Sequence, residues 1–142
     1  MSERLGYRGY IGSRPYFGSR VPQHVQNLVI RDCCQRSGLL YLLSAVEYAM
    51  PGCFMMLERV LEELPTIEGI ILYSLFMLPE ERTRRERVYA RVLGEGGRLY
   101  AAVEGFAVAS EADIRRVEDV WRLEQCLPRC WTGELARRGA RT

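Results

Sequence analysis

Residues 69–77 read GIILYSLFM, Gly69 to Met77. A strand with one wet face would alternate apolar and polar side chains, and this run does not. It reads as a central strand covered on both faces. Upstream, Pro51-Gly52 breaks the chain before a helix whose Cys53, Met56, Leu57, Val60, Leu61 and Leu64 form the cleanest helical stripe present. Downstream, Pro79 opens a further helix to about Leu93, with Val88, Val92 and Tyr89 turned inward.

Working outward, the same alternation repeats. Leu5–Gly12 (LGYRGYIG) reads as a first strand bounded by glycine. Pro22–Ser37 follows as a helix with Pro22 at its first position and Gly38 at its C-terminal cap. Its apolar stripe is Val25, Leu28, Val29 and Cys33. Leu39–Val46 is a second strand. After a turn at residues 94–97, Leu99–Val103 is a fourth. Ser110, with Asp113 three residues on, caps a last helix to about Leu127. Strands alternating with helices imply an α/β chain in which helices cover both faces of a mostly parallel sheet, joined by right-handed crossovers. The expectation is a single three-layer domain over residues 1–127, flavodoxin-like, with four to five strands. A basic C-terminal tail covers residues 128–142.

The charge set of this 142-residue chain is unusual. All twenty basic residues are arginine, fifteen of the eighteen acids are glutamate, and His24 is the single histidine. Without lysine there is no phosphate-binding loop ending in Lys-Ser/Thr and no Schiff base. One histidine excludes a multi-histidine metal site, and no metal or cofactor is expected. Five cysteines without a CxxC pair suit free thiols in a reducing cytoplasm. No apolar run reaches the ~20 residues that cross a bilayer. A net charge of +2 does not by itself argue for nucleic acid.

In such folds ligands bind at the carboxyl ends of the strands, where the strand order reverses. The first strand runs into a loop holding Gly-Ser-Arg twice, Gly12-Ser13-Arg14 and Gly18-Ser19-Arg20. Glycines let backbone approach a ligand, while serine hydroxyls, arginine forks and a helix start suit an anion. The alternative is a solvated turn whose arginines pair with glutamates. His24, in the first helical turn, is a candidate base or hydrogen-bond donor, or else a residue packing at a helix start. Gln23, Gln26 and Asn27 nearby could reach a polar ligand, or be surface amides of the helix. Glu47 and Tyr48 emerge from the second strand at the same edge. Glu47 would act as acid/base or ligand holder, or equally anchor Arg14 or Arg20 in an ion pair. Ser74 and Glu104 complete the ring, and Glu47 with Glu104 are a candidate carboxylate pair. The helix arginines 82, 84, 85, 87 and 91 alternate with glutamates, which favours a solvated or partner-facing helix.

Several of these stretches carry resemblances. Gly6–Ile11, Ser13-Arg14-Pro15, Arg20–Asn27 and Glu47–Gly52 look like the sporadic carbohydrate cluster family of bacterial surface-polysaccharide (O-antigen type) gene clusters. That resemblance implies a cytoplasmic role in carbohydrate biosynthesis but no established reaction. The layout is also similar, more distantly, to the catalytic domain of serine recombinases, the resolvases and invertases. There Arg8 and Ser13 would match the arginine and the nucleophilic serine, while Leu75-Phe76-Met77-Leu78-Pro79 lacks the acid and arginines that follow the third strand. The resemblance implies a resolvase-like fold without DNA strand exchange.

Together these readings lead to an expectation. The chain would be a homodimer binding a sugar phosphate or nucleotide sugar through Arg8, Ser13, Arg14, Ser19, Arg20, Gln23, Asn27, Tyr48, Ser74 and Glu104. Ser13, His24 and Glu47 would carry any metal-independent acid/base chemistry. Nucleic acid is not expected as a partner. The alternatives are a non-catalytic subunit of a biosynthetic enzyme, or a degenerate resolvase-like nucleic-acid binder.

Overall fold

The computed structural model describes residues 4–13, 20–50 and 52–127. Arg14 and Ser19 of the Gly-Ser-Arg loop, and the tail 128–142, lie outside the described residues. The elements run β1 (Tyr7–Gly12), α1 (Gln23–Ser37), β2 (Tyr41–Glu47), α2 (Met55–Glu62), β3 (Gly69–Leu72), a short 3-10 turn (Leu75–Met77), α3 (Arg82–Gly94), β4 (Arg98–Ala101), β5 (Phe106–Val108) and α4 (Glu111–Leu127). The five strands form one sheet in the order β2-β1-β3-β4-β5. All pairs are parallel except β4 with β5.

Two apolar layers sandwich this sheet. On one face α1 is the covering helix among the described residues and contributes Ile30, Cys33 and Cys34, packed against Tyr7, Ile11 and Ile71. On the other, α2, α3 and α4 bury Leu57, Leu61, Val88, Val92, Val117 and Trp121 over Tyr10, Ile70 and Leu72. β3 is buried at every position, which is why its sequence does not alternate. α1 ends as its sequence implies: Gly38 adopts the left-handed conformation (φ 69°), and its N–H caps the carbonyls of Cys34 and Gln35. Its buried stripe differs from the expected one. Gln26, Ile30, Cys33 and Cys34 face inward, while Leu28 is exposed.

The apolar run 69–77 is not one strand. Ser74 interrupts it: the hydroxyl accepts from Phe76 N at 3.2 Å and donates to Glu104 Oε2 at 2.8 Å. A serine that bonds its own backbone two residues on competes with the ladder, so the chain turns into a 3-10 turn instead. The fourth expected strand also stops early. Ala101 pairs with Phe106 across a four-residue hairpin closed by Gly105 (φ +71°), and β5 returns antiparallel. Gly9 is required by close approach, since a Cβ there would lie 2.1 Å from Ser44 Oγ.

α3 and α4 are joined by a buried charge network. Arg85 donates from Nε and Nη2 to Glu118 at 2.9 and 2.8 Å, and Tyr89 donates to the same carboxylate at 2.7 Å. The guanidinium also stacks 4.1 Å over the Trp121 ring. Arg85, expected on a solvated face, is therefore a core residue. Asp113 closes α4's start by accepting from Ala109 N at 3.0 Å, with Ser110 Oγ accepting from Asp113 N at 3.4 Å.

Candidate functional site

The strand order reverses between β1 and β3: the chain leaves β1 for β2 on one side and returns to β3 on the other. The crevice beyond the carboxyl ends of these strands is where a sheet of this kind opens to a ligand. Gly12 pairs with Glu47 in register. Ser13 and Tyr48, each one residue further on, thus leave the sheet side by side. α1 begins just after the loop and brings Arg20, Gln23 and His24 to the same edge. All three are exposed and have no side-chain partner among the described residues. No acidic residue occupies the first turn of α1, and no side chain caps its N-terminus, so its N–H groups add partial positive charge there.

Gln26, expected as one of the amides that could reach a polar ligand, instead holds this corner together. It is fully buried. Its Oε1 accepts from Gly12 N at 3.2 Å, while Nε2 donates to Gly12 O at 2.6 Å and Val21 O at 2.8 Å. One amide therefore ties the end of β1 to the start of α1 and sets the base of the loop between them. The signal was present in sequence as a polar residue at the spacing of Ile30 and Cys33, on the face α1 buries.

The remaining candidates turn inward. Glu47 is buried. Its Oε1 accepts from Tyr10 Oη at 2.7 Å and Leu57 N at 3.1 Å, and Oε2 accepts from Tyr48 N and Met56 N at 3.1 Å each. Both oxygens are committed to the start of α2, whose own N-cap residue supplies no side-chain bond. Among the described residues these are its partners and Arg20 is not one of them, so the expected ion pair with Arg20 does not form; Arg14 lies outside the described residues. Glu104 is used alike: it accepts from Ser74 Oγ at 2.8 Å and Leu75 N at 2.7 Å, fixing the turn after β3. Three strand spacings separate the ends of β2 and β4, about 14 Å, so the two glutamates form no pair.

Arg8 is also displaced. It lies in the first half of β1, with Nη1 donating to Leu43 O at 2.7 Å and Nε 3.4 Å from Glu63 Oε2. Five residues of strand put it about 16 Å from Ser13, so the two do not converge on one ligand. Asn27 Oδ1 accepts from Tyr41 Oη at 3.3 Å, and that hydroxyl also lies 2.6 Å from Ser44 Oγ. What the structure brings together is Ser13, Arg20, Gln23, His24 and Tyr48. Arg8, Asn27, Ser74, Glu47 and Glu104 are spent elsewhere.

Cys33, Cys34 and Cys53 are free thiols. Burial, reinforced by Cys33, pushes the Cys34 thiol up to about 11, which keeps it protonated and unreactive. Among the described residues no group of three or more His, Cys, Asp or Glu side chains is placed to hold a metal ion. No helix among them is long and apolar enough to cross a membrane.

No family model matches the sequence, and no curated protein matches it significantly. The resemblance to the carbohydrate cluster family gains no support from either comparison. Solved structures do share the fold. A resolvase-family site-specific recombinase from Streptococcus pneumoniae superposes with a TM-score of 0.59 at 13% identity, covering 96% of this chain and 99% of that one. The N-terminal catalytic domain of TP901-1 integrase gives 0.54 at 11% identity, covering 86% and 96%.

The class defined is therefore an α/β fold resembling resolvase catalytic domains. At these identities the likeness is one of architecture. It nonetheless corrects the expected partners. A sugar phosphate or nucleotide sugar was expected and nucleic acid set aside, yet these neighbours are a site-specific recombinase and an integrase, and nothing in the comparisons points to sugar.

Proposed function

We propose that this chain is a nucleic-acid-binding protein on a resolvase catalytic fold that has lost strand-exchange chemistry. The observation that carries the reading is the fold itself, matched over nearly all of this chain and of a site-specific recombinase. The open group at the β1–α1 edge is compatible with it. Ser13, Arg20, Gln23 and His24 surround an uncapped helix start, the arrangement that receives a phosphate. Loss of chemistry is supported by Arg8, which is held by Leu43 and Glu63 far from Ser13. It is supported also by the turn after β3, which carries neither acid nor arginine. Free thiols suit a reducing cytoplasm as its location.

The test is fluorescence anisotropy with labelled single- and double-stranded oligonucleotides across a salt series. Binding at low salt that weakens steeply with added salt is expected. Arg20→Ala should flatten the log–log slope by about 0.7–0.9, the contribution of one phosphate contact. No binding at low salt would remove the reading. A covalent DNA adduct that disappears in Ser13→Ala would overturn the loss of chemistry while leaving the binding.

A further inference from the structure

The β1–α1 edge holds aromatic rings as well as anion-binding side chains. β1 lies between β2 and β3 in the sheet, so the crevice beyond Ser13 is flanked by the residues that follow those two strands. A tyrosine follows each. Tyr48 comes directly after β2 and is 48% exposed. Tyr73 comes directly after β3 and is half-buried, packed at the margin of both apolar layers. Its backbone is fixed, the N–H donating to Tyr10 O at 3.2 Å and the carbonyl accepting from Val103 N at 3.0 Å. Tyr10 pairs with Leu72 in register, so Tyr73 stands level with Ile11 and about 7 Å short of Ser13. Across the sheet the two tyrosines are separated by two strand spacings, about 10 Å. The hydroxyls of Tyr10 and Tyr89 are each spent on a buried carboxylate, whereas those of Tyr48 and Tyr73 have no partner among the described residues.

We propose that this edge takes a single strand of nucleic acid with unpaired bases laid on Tyr48 and Tyr73, a proposal that rests on the nucleic-acid reading and narrows it. Every base has a face that stacks on an aromatic ring, and in a duplex those faces are covered by the neighbouring base pairs. A duplex offers only base edges, through grooves of which the wider, about 12 Å across, admits an inserted helix or ribbon. Two rings at strand ends on either side of a crevice suit bases splayed from one backbone instead. Arg20, exposed and unpaired among the described residues, supplies positive charge at the same edge, and the uncapped start of α1 receives the phosphates. Stacking and phosphate contact together are what hold a strand whose sequence is not read.

The experiment is fluorescence anisotropy of the full chain with labelled oligodeoxyuridine, a duplex of the same length, and an abasic strand that keeps the phosphates alone. The single strand should bind about tenfold or more tighter than either of the others. Tyr48→Ala and Tyr73→Ala should each weaken it about fivefold or more, while Tyr48→Phe and Tyr73→Phe, which keep the ring, should not. Duplex and abasic binding should be unmoved by either alanine. Tyr73→Ala removes a partly packed ring, so circular dichroism checks its fold. If it unfolds, Tyr48→Ala at its exposed position decides alone. Oligouridine differs from the probe only in its 2′-hydroxyls and tells RNA from DNA. A duplex bound as tightly as the single strand would overturn the stacking and leave the nucleic-acid reading standing. So would single-strand binding untouched by Tyr48→Ala in folded protein. No binding of any of the three probes removes both.

Discussion

Two groups of polar side chains sit at the carboxyl edge of one sheet and are used in opposite ways. Glu47, Ser74 and Glu104 fold back, each bonded to backbone N–H groups or a hydroxyl. Arg20, Gln23 and His24 point away and bond to nothing among the described residues. The difference is one of desolvation. A carboxylate buried at a strand end must find donors, and the nearest unused ones are the N–H groups of the next helix or turn. Side chains at the exposed start of α1 face no such demand, so they stay available to a partner.

Substitutions should separate the two groups by an order of magnitude in stability. The largest effect is expected deeper in the same inward class. Glu118→Ala leaves the Arg85 guanidinium buried without its carboxylate and should cost about 3–5 kcal/mol by urea denaturation. Glu47→Ala strands three backbone N–H groups and the Tyr10 hydroxyl and should cost about 3 kcal/mol, with Glu47→Gln recovering part of it. An equal loss of stability in Arg20→Ala would break the comparison.

Gln26 is the bridge between the groups, buried itself but setting the loop that carries Ser13. Gln26→Leu should cost about 2 kcal/mol and weaken oligonucleotide binding beyond what the lost stability explains. Arg20→Ala should change stability by less than about 0.5 kcal/mol and act on binding alone.

Acid sharpens the same contrast. Burial alone would raise the Glu118 carboxyl. The hydrogen bonds from Arg85 and Tyr89 and the charges of Arg85 and Arg82 outweigh it and hold the group below the ordinary glutamate range. A carboxyl lowered by folding contributes stability that is complete above its unfolded value and is lost as pH falls through the folded one. The urea midpoint should therefore drop as pH falls below the ordinary glutamate range, and this component should vanish in Glu118→Gln.

Much of the fold was legible because each element carried a local signature. The stripe Leu57, Val60, Leu61 and Leu64 is buried as its spacing implies, Gly38 ends α1, and the unbroken apolarity of residues 69–72 marks the centre of the sheet. Ser74, expected as a ligand-binding hydroxyl, is the local clue that residues 73–77 leave the sheet, because its side chain bonds Phe76 N in place of a ladder partner. The antiparallel return of β5 rests on a short hairpin with no strong local pattern.

The candidate site was legible only in part. Ser13, Arg20, Gln23 and His24 are neighbours in sequence, and a parallel sheet fixes which edge they reach. Glu47 and Glu104 read as site residues from their chemistry and their place at strand ends, and Arg8 from the recombinase resemblance. Their actual partners are Met56, Leu57, Leu75, Leu43 and Glu63, and nothing near them in the chain announces those pairings.

By itself the sequence determined the fold class, the order of most elements and the face that α2 buries, because hydrophobic periodicity and capping are local. Tertiary structure alone decided the strand order β2-β1-β3-β4-β5, the three strand spacings (about 14 Å) between the ends of β2 and β4, and the burial of Arg85 on Glu118. These depend on contacts between residues far apart in the chain. A charged side chain carries no mark of whether its partner will be water, a ligand or a backbone N–H brought to it by folding.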